Sequence, residues 1–364
     1  MKIFVVGARG FPDVQGGIET HCEELYIRIA KKGVDITALT IKKYTRYRWW
    51  NGIKFISIPT IQYKNVQKAI YNLLSALYCV IRKPDLVHIH GLNAGLFIWL
   101  YKLASIKVIA TYHSMDYIYP KWNILMKFIL RFSEKQFLIA DYIIVVSKLY
   151  LEHFRRLGVK KNIIYLPNGM KKFQKSGESK EILKKWSINE REYILSVGRI
   201  TPEKDYMTLI RAFFKANLSN IKLVIAGGYE FRDNYAKKLI KIANNNVIFT
   251  GYLQKKELQA LYENCCLFVL PSICEGLPIA LLEAISFNCN ILVSDIPAHK
   301  QLELDPGDYF KACDENDLAD KIITKIMQKN KNKSYNFILK DYNWDIIADK
   351  VNEIYNKIYK IKYI

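Results

Sequence analysis

Glu275 and Glu283 bracket the run Glu275-Gly276-Leu277-Pro278-Ile279-Ala280-Leu281-Leu282-Glu283, which puts a carboxylate on either side of a helix start. Pro278 suits the first position of that helix, because its missing N–H would have no partner there. The backbone N–H groups of Gly276, Leu277 and Ile279 then form a helix N-terminus, a natural receptor for phosphate. Glu275 falls just outside the helix and Glu283 about five residues along it, roughly 7–8 Å further on at 1.5 Å per residue. So spaced, the two could hold hydroxyls on either side of a diphosphate, one on a sugar and one on a ribose. By itself the pair reads more readily as an N-terminal carboxylate favoured by the helix dipole plus a solvated glutamate.

Other residues point to the same chemistry. Gly198-Arg199-Ile200-Thr201-Pro202-Glu203-Lys204 follows an apolar run directly. Arg199 offers a planar fork of donors and Lys204 a compact charge, a pair suited to a diphosphate; alone, such a basic loop is as well read as solvated. Gly16-Gly17 lies in the loop after the first strand and opens a helix, where missing side chains allow close approach of a ligand phosphate. Gly7-Ala8-Arg9-Gly10 is not G-x-G-x-x-G, so a dinucleotide fingerprint is weak. His113 ends a strand and is expected to point into a cleft, although a lone histidine so placed reads more readily as structural; His88 and His90 alternate with apolar residues and read as structural. The seven cysteines are odd in number, form no C-x-x-C pair and have no histidine at zinc-ligand spacing. A disulfide framework or structural metal is not expected, and a reducing cytoplasm fits.

The elements that must position these residues alternate strand and helix. Strands are expected at Lys2–Gly7, Val34–Thr40, Lys54–Ile58, Asp85–His90, Val108–His113, Tyr142–Ser147 and Ile163–Leu166, with helices at Glu19–Lys32 and Val66–Arg82. The pattern restarts with strands at Tyr193–Gly198, Lys222–Ala226, Asn246–Thr250, Leu267–Leu270 and Asn290–Ser294. Repeated alternation means parallel sheets covered on both faces. The chain of 364 residues fits two such domains, 1–168 and 169–343, with a cleft expected between them. Ligands of such sheets lie beyond the carboxyl ends of the strands. Trp344, Ile347, Val351, Ile354, Tyr355 and Ile358 share one helical face, so the terminal segment 344–364 is expected to be a helix packed on the body, with the first domain as one candidate partner.

The formal net charge is +21, and residues 1–170 hold 25 Lys and Arg against 10 Asp and Glu. Attraction to an anionic membrane fits this excess, with a lysine-rich compositional bias as the alternative and nucleic acid as a weaker one. Lys42-Lys43-Tyr44-Thr45-Arg46-Tyr47-Arg48-Trp49-Trp50 mixes cations with aromatic rings suited to a headgroup region. Lys121–Lys135 adds a helix-like stretch with Lys127, Arg131, Trp122, Ile124, Leu125, Phe128 and Ile129. The apolar start of the chain is too short for a signal-peptide core, and no run of about eighteen uncharged apolar residues occurs. The expected place is the cytoplasm, peripheral to the inner face of the cytoplasmic membrane.

Taken in order, the first-strand Gly-Gly loop, His113, the Gly-Arg…Glu-Lys loop and the E-x7-E helix resemble the retaining glycosyltransferases of family 4. The likeness covers essentially the whole chain. It is nearest to bacterial capsule and O-antigen rhamnosyltransferase-like enzymes, through GARGFPDVQGGIET, HGLNAGLF, TYHSMDYIYPKW, GYLQKKELQALYENC, EGLPIALLEAISFNCNILVSDIP and YNWDIIADKVNEIY. The resemblance implies the GT-B architecture: two Rossmann-like parallel-sheet α/β domains facing across a cleft. It implies a metal-independent, retaining transfer of a sugar, first choice L-rhamnose from dTDP-rhamnose, to a lipid-linked saccharide in cell-surface polysaccharide assembly. No cofactor, metal or nucleic acid is implied, and no D-x-D motif is present. Gly16 and Gly17 would lie at the donor diphosphate, and Arg199 and Lys204 would neutralise it. Glu275 would contact the donor sugar, Glu283 the ribose, and His113 the reaction centre. The alternatives are a UDP- or GDP-sugar donor, or a nucleotide-sugar epimerase or phosphorylase on the same fold. Met170-Lys171-Lys172 stand where an Asp often follows Pro-Asn-Gly, and Ser114 and Asn288 stand where Gly is common. Asn288 is expected to take the left-handed conformation after a helix.

Overall fold

A computed structural model describes residues 1–61, 66–119, 122–170, 179–228, 234–328, 335, 338 and 340–361. The chain divides into two compact units, 1–169 with 342–364, and 170–341. Among the sequence features singled out above, Lys121, Lys171 and Lys172 lie outside the described residues.

The first unit begins β1 (Lys2–Val6), α1 (Gly17–Ala30), β2 (Asp35–Ile41), β3 (Trp49–Trp50), β4 (Ile53–Ile58), α2 (Val66–Arg82) and β5 (Leu86–His90). It continues with α3 (Leu92–Gly95), α4 (Ile98–Leu103), β6 (Lys107–Tyr112), α5 (Ile124–Phe137), β7 (Tyr142–Val145), α6 (Lys148–Arg156) and β8 (Ile163–Tyr165). Its sheet runs β3-β4-β2-β1-β5-β6-β7-β8, parallel except for the antiparallel β3–β4 pair. Strands such as β1 and β5 are buried along almost their whole length, as parallel strands covered on both faces must be. The strand order reverses direction at β1/β5, which makes that edge the switch point where a crevice opens.

The second unit holds α7 (Ser179–Lys185), β9 (Tyr193–Val197), α8 (Tyr206–Ala216), β10 (Lys222–Ala226), α9 (Asn234–Ile242), β11 (Val247–Gly251) and α10 (Lys255–Asn264). Then come β12 (Leu267–Leu270), α11 (Ile279–Ser286), β13 (Ile291–Ser294), α12 (Pro297–Lys300), β14 (Tyr309–Phe310) and α13 (Glu315–Met327). Its sheet is parallel throughout, in the order β11-β10-β9-β12-β13-β14. The order reverses at β9/β12.

The last helix, α14 (Trp344–Ile361), belongs to the first unit. Trp344, Ile347, Ala348, Val351, Ile354, Tyr355 and Ile358 join the core formed by β1 and α1. Gly169 admits it, since a Cβ there would lie 2.5 Å from the Trp344 ring. Arg28 Nε donates to Asp345 at 2.7 Å and Lys32 pairs with Asp349 at 2.5 Å along the same contact.

Two short strands escape the sequence reading. β3 pairs Trp49 with Lys54 and Trp50 with Ile53, so the Trp pair is an edge strand and not only a loop. β14 pairs with the end of β13. Pro278 is the residue before α11, with φ −73 and ψ 114, and the helix starts at Ile279. It therefore caps the helix instead of occupying its first turn. Asn288 has φ 53, the left-handed conformation expected after a helix.

Candidate functional site

In the second unit the loops after β9 and β12, the two strands at the switch point, are stitched together. The Ile273 N–H donates to the Glu203 carbonyl at 3.0 Å. This brings Lys204 onto Glu275, and the two form a mostly buried ion pair in which Lys204 Nζ donates to the carboxylate. Ser272 Oγ donates to the same oxygen of Glu275 at 2.7 Å. Beneath them Ser294 Oγ donates to the Ser272 carbonyl, and His299 Nδ1 donates to the Ser294 carbonyl at 2.8 Å. The His299 ring is fully buried and its Nε2 has no partner among the described residues. Burial holds its pKa down at about 4, against a smaller upward pull from Glu275.

The remaining residues of the E-x7-E run flank this pair. Gly276 and Leu277 are buried in the turn into α11, and the Gly276 carbonyl accepts from Gln301 Nε2 at 3.0 Å. Glu283, half-buried on α11, accepts from Tyr262 Oη at 3.0 Å. Arg199, half-buried just past β9, has no side-chain hydrogen bond or ion pair among the described residues.

In the first unit the loop after β1 is held by Arg9, whose Nε donates to Glu19 at 2.7 Å. Gly7 has φ 111, and a Cβ there would stand 2.1 Å from the His90 carbonyl oxygen, so only glycine lets the loop pass β5. Gly16 has φ 147, and a Cβ on it would meet Glu19 Oε2 at 2.0 Å. Gly17 is the first residue of α1, exposed, with nothing within 4 Å of an added Cβ. The first glycine is required by its own backbone; the second is not.

His113, just past β6, stands in a group that the sequence did not announce. Its Nε2 lies 3.1 Å from His90 Nδ1. The His21 ring, on α1, packs edge-on to it with centres 4.7 Å apart. His88 stacks on His90 at 4.4 Å. All four rings are buried, and burial lowers each pKa, that of His21 to about 4. His21, His90 and His113 come together only because β1, β5 and β6 are neighbours in the sheet.

Of the surface candidates, Lys42, Lys43, Arg46, Arg48 and Trp49 are exposed, while Trp50 is half-buried against the core. Arg46 faces Asp13 at 4.0 Å and Lys54 lies over the Trp49 ring. The stretch after Lys121 forms α5 and bares Ile124, Leu125, Phe128 and Phe132. Neighbouring α2 and α4 add Leu73, Leu77, Ile81, Trp99 and Leu103. Among the described residues no helix is long and apolar enough to cross a membrane.

Residues 15–171 match the family model described as Glycosyltransferase Family 4, and residues 178–340 match Glycosyl transferases group 1. Two uncharacterized glycosyltransferases of Methanocaldococcus jannaschii are similar. One is 27% identical over 59% of this chain and 51% of its own length, so this chain spans about half of it. The other is 26% identical over 81% of each. The N,N'-diacetylbacillosaminyl-diphospho-undecaprenol alpha-1,3-N-acetylgalactosaminyltransferase of Campylobacter jejuni is 26% identical over 65% of this chain and 66% of its own. Among solved structures, sucrose-phosphate synthase of Thermosynechococcus elongatus superposes with a TM-score of 0.80 at 18% identity, covering 99% of both chains. HepE of Anabaena, in complex with UDP and glucose, gives 0.79 at 16% identity over 98% of this chain and 100% of its own. The structural likeness is one of fold, GT-B. With one family match on each unit, the chain belongs to the GT-B glycosyltransferases of the group 1 and family 4 superfamily.

Proposed function

We propose that this chain moves a hexose from a nucleoside-diphosphate sugar to a saccharide carried on a lipid diphosphate, with retention at the anomeric carbon. The observation that carries the reading is the Lys204–Glu275 pair, set on the loops after β9 and β12 at the sheet's switch point and next to the start of α11. A donor diphosphate gives Lys204 a more strongly charged partner than one carboxylate, and Arg199 adds a fork of donors for the same group. Glu275, relieved of Lys204, accepts hydroxyls of the donor sugar, and Glu283 those of the ribose. Gly276 and Leu277 lead into the helix N-terminus that faces phosphate. In the first unit, exposed Gly17 offers backbone free of side-chain bulk for approach to a phosphate, in a loop shaped by Gly16.

Leaving-group departure is the step to be helped. As the anomeric C–O bond breaks, negative charge grows on the diphosphate and positive character on the carbon. Arg199, Lys204 and the α11 N-terminus are fixed donors for the first, in the manner of an oxyanion site. His113 we assign to the sugar near the reaction centre on the strength of the motif resemblance. Burial keeps it neutral, so a ring N–H is available to donate to a sugar hydroxyl. With two cations and a helix end at the diphosphate, no divalent ion is needed there.

The Campylobacter relative, named for a diphospho-undecaprenol substrate, supports the lipid-linked acceptor. Its name gives N-acetylgalactosamine, while L-rhamnose rests on motif resemblance, so dTDP-rhamnose heads a panel that includes UDP- and GDP-sugars. The bared apolar residues of α2, α4 and α5, flanked by Arg82, Lys127, Arg131 and Lys135, support docking on the anionic inner face of the cytoplasmic membrane. The test of retention is NMR of the product's anomeric proton with a lipid-diphosphate saccharide as acceptor. Inversion would overturn the stereochemical assignment. Conversion of the donor sugar without any acceptor would favour an epimerase instead.

A further inference from the structure

The transfer reaction proposed above uses one histidine of the first unit, yet four share one buried group. His88 is fully engaged: Nδ1 meets Tyr26 Oη at 2.9 Å and Tyr355 Oη at 2.6 Å, and Nε2 meets Thr111 Oγ1 at 2.7 Å. His90 is engaged at both nitrogens as well, Nε2 at Tyr26 Oη 2.6 Å away and Nδ1 at His113 Nε2 3.1 Å away, but His21 is not. His21 Nδ1 must donate to the Asn168 carbonyl oxygen, 2.8 Å away, because that oxygen can only accept. The His21 lone pair is therefore on Nε2, which is buried with no partner among the described residues. A buried acceptor left without a donor calls for an occupant. One nitrogen from each of His21, His90 and His113 lies within 4.8 Å of the other two.

The ring spacing fits a specific occupant. A tetrahedral metal bound at about 2.0–2.1 Å by three imidazoles sets their nitrogens about 3.3 Å apart and their ring centres about 5 Å apart. Here the ring centres stand 4.7, 5.3 and 5.4 Å apart, and His90 Nδ1 is 3.1 Å from His113 Nε2. We propose that His21 Nε2, His90 Nδ1 and His113 Nε2 form a three-histidine site for a divalent transition metal of the zinc class, with a fourth coordination position left open.

The surroundings are those of an oriented ligand set. Asn168 fixes the His21 tautomer with Nε2 free. With a metal on His90 Nδ1, the proton sits on Nε2 and is donated to Tyr26 Oη at 2.6 Å. Tyr26 and Tyr355 both reach His88 Nδ1, at 2.9 and 2.6 Å, and His88 Nε2 donates to Thr111 Oγ1 at 2.7 Å, so His90 is braced through a run of buried hydrogen bonds. Metal-bound histidines are held in this way by a second layer of hydrogen bonds. An all-imidazole set suits zinc, copper or nickel and disfavours magnesium or calcium, which take oxygen. The absence of zinc-ligand spacing in the sequence is explained, since the three ligands lie on α1, at the end of β5 and after β6. All three ligands belong to the first unit.

The experiment titrates the full-length chain, freed of any affinity tag and stripped with EDTA, with Co2+ and separately with Zn2+. One Co2+ per chain is expected, with the visible d–d bands of a four-coordinate nitrogen site, no thiolate charge-transfer band, and displacement by one Zn2+. His21→Ala should weaken Co2+ at least about 100-fold, and Asn168→Ala, which keeps all three ligands, about 10- to 100-fold. His21→Gln replaces the alanine variant if the latter loses its native far-UV circular dichroism. No bound Co2+, a thiolate spectrum, or an affinity unchanged in the folded His21 and Asn168 variants would overturn the proposal.

Discussion

Lys204 and Glu275, separated by 71 positions in the chain, are joined in a mostly buried ion pair on the loops after the two strands at the second sheet's switch point. Under the proposed function a donor diphosphate draws Lys204 away from Glu275. Glu275→Gln leaves the shape and removes the negative charge, so Lys204 becomes more available to a phosphate. The variant should bind a bare nucleoside diphosphate as well as the parent or better, while turnover falls at least about 100-fold, or roughly 2.7 kcal/mol. Calorimetry beside a transfer assay checks this. Equal losses in affinity and turnover would reduce Glu275 to a structural partner of Lys204.

Arg199→Ala should weaken nucleoside-diphosphate binding by about 1.5–3 kcal/mol, the worth of a hydrogen bond to a charged group. Lys204→Ala should do the same and also lower stability, since it strands Glu275 in a poorly solvated place; breaking a buried pair costs about 3–5 kcal/mol at the upper end. Thermal melts separate the two effects. Nucleotide affinity measured by calorimetry should be unchanged by EDTA. An affinity that EDTA abolishes and Mg2+ restores would put a cation where Arg199 and Lys204 are assigned.

The pattern of strands was legible because parallel strands buried on both faces are short, continuous apolar runs. Lys222–Ala226 and Leu267–Leu270 are bounded by polar or turn residues and form strands over those residues. β3 and β14 were not legible: two residues carry no period, and each exists only because a neighbouring strand offers an edge. Pro278 stands at the cap, one position before the first turn that its sequence context suggests, because a missing N–H is tolerated at both places. Side-chain partnerships were least visible. Nothing near Lys204 in the sequence announces Glu275, and His21 carries no spacing signal toward His90 and His113. Strand order creates both groupings, and strand order is not written in local periodicity.

Acid should destabilise the second unit through His299. Its folded pKa of about 4 lies below the ordinary value of 6.5, so the unfolded chain binds the proton first. Its contribution is full above pH 6.5 and is lost progressively as pH falls toward 4, by at most about 3 kcal/mol. The groups facing it are Glu275 and Lys204, with Ser294 accepting from Nδ1. Urea denaturation between pH 7 and 4.5 should show a shallower loss of stability in His299→Gln than in the parent, by up to about 1.4 kcal/mol per pH unit. Parallel curves would mean that His299 is protonated in the folded chain as easily as in the unfolded one.

Binding to anionic vesicles should depend on two surfaces of the first unit. Lys42, Lys43, Arg46 and Arg48 are exposed, and each cation near an anionic surface is worth about 1 kcal/mol. Changing all four to Glu should release the protein at moderate salt. Ile124→Asp with Phe128→Asp on α5 should weaken binding even at high salt, because burying such a side chain is worth about 1.5–3 kcal/mol. Co-sedimentation that is equal for the parent and both variants would remove these surfaces from membrane docking.

Glycosyl transfer itself is tested most directly by following release of nucleoside diphosphate from a panel of dTDP-, UDP- and GDP-sugars, with and without a lipid-diphosphate saccharide. The parent should consume one donor slowly alone and much faster with the acceptor, and Glu275→Gln should lose that consumption while still binding the nucleotide. A chain that consumes no donor under either condition, or whose consumption is untouched by Glu275→Gln, would contradict transfer at the Lys204–Glu275 pair.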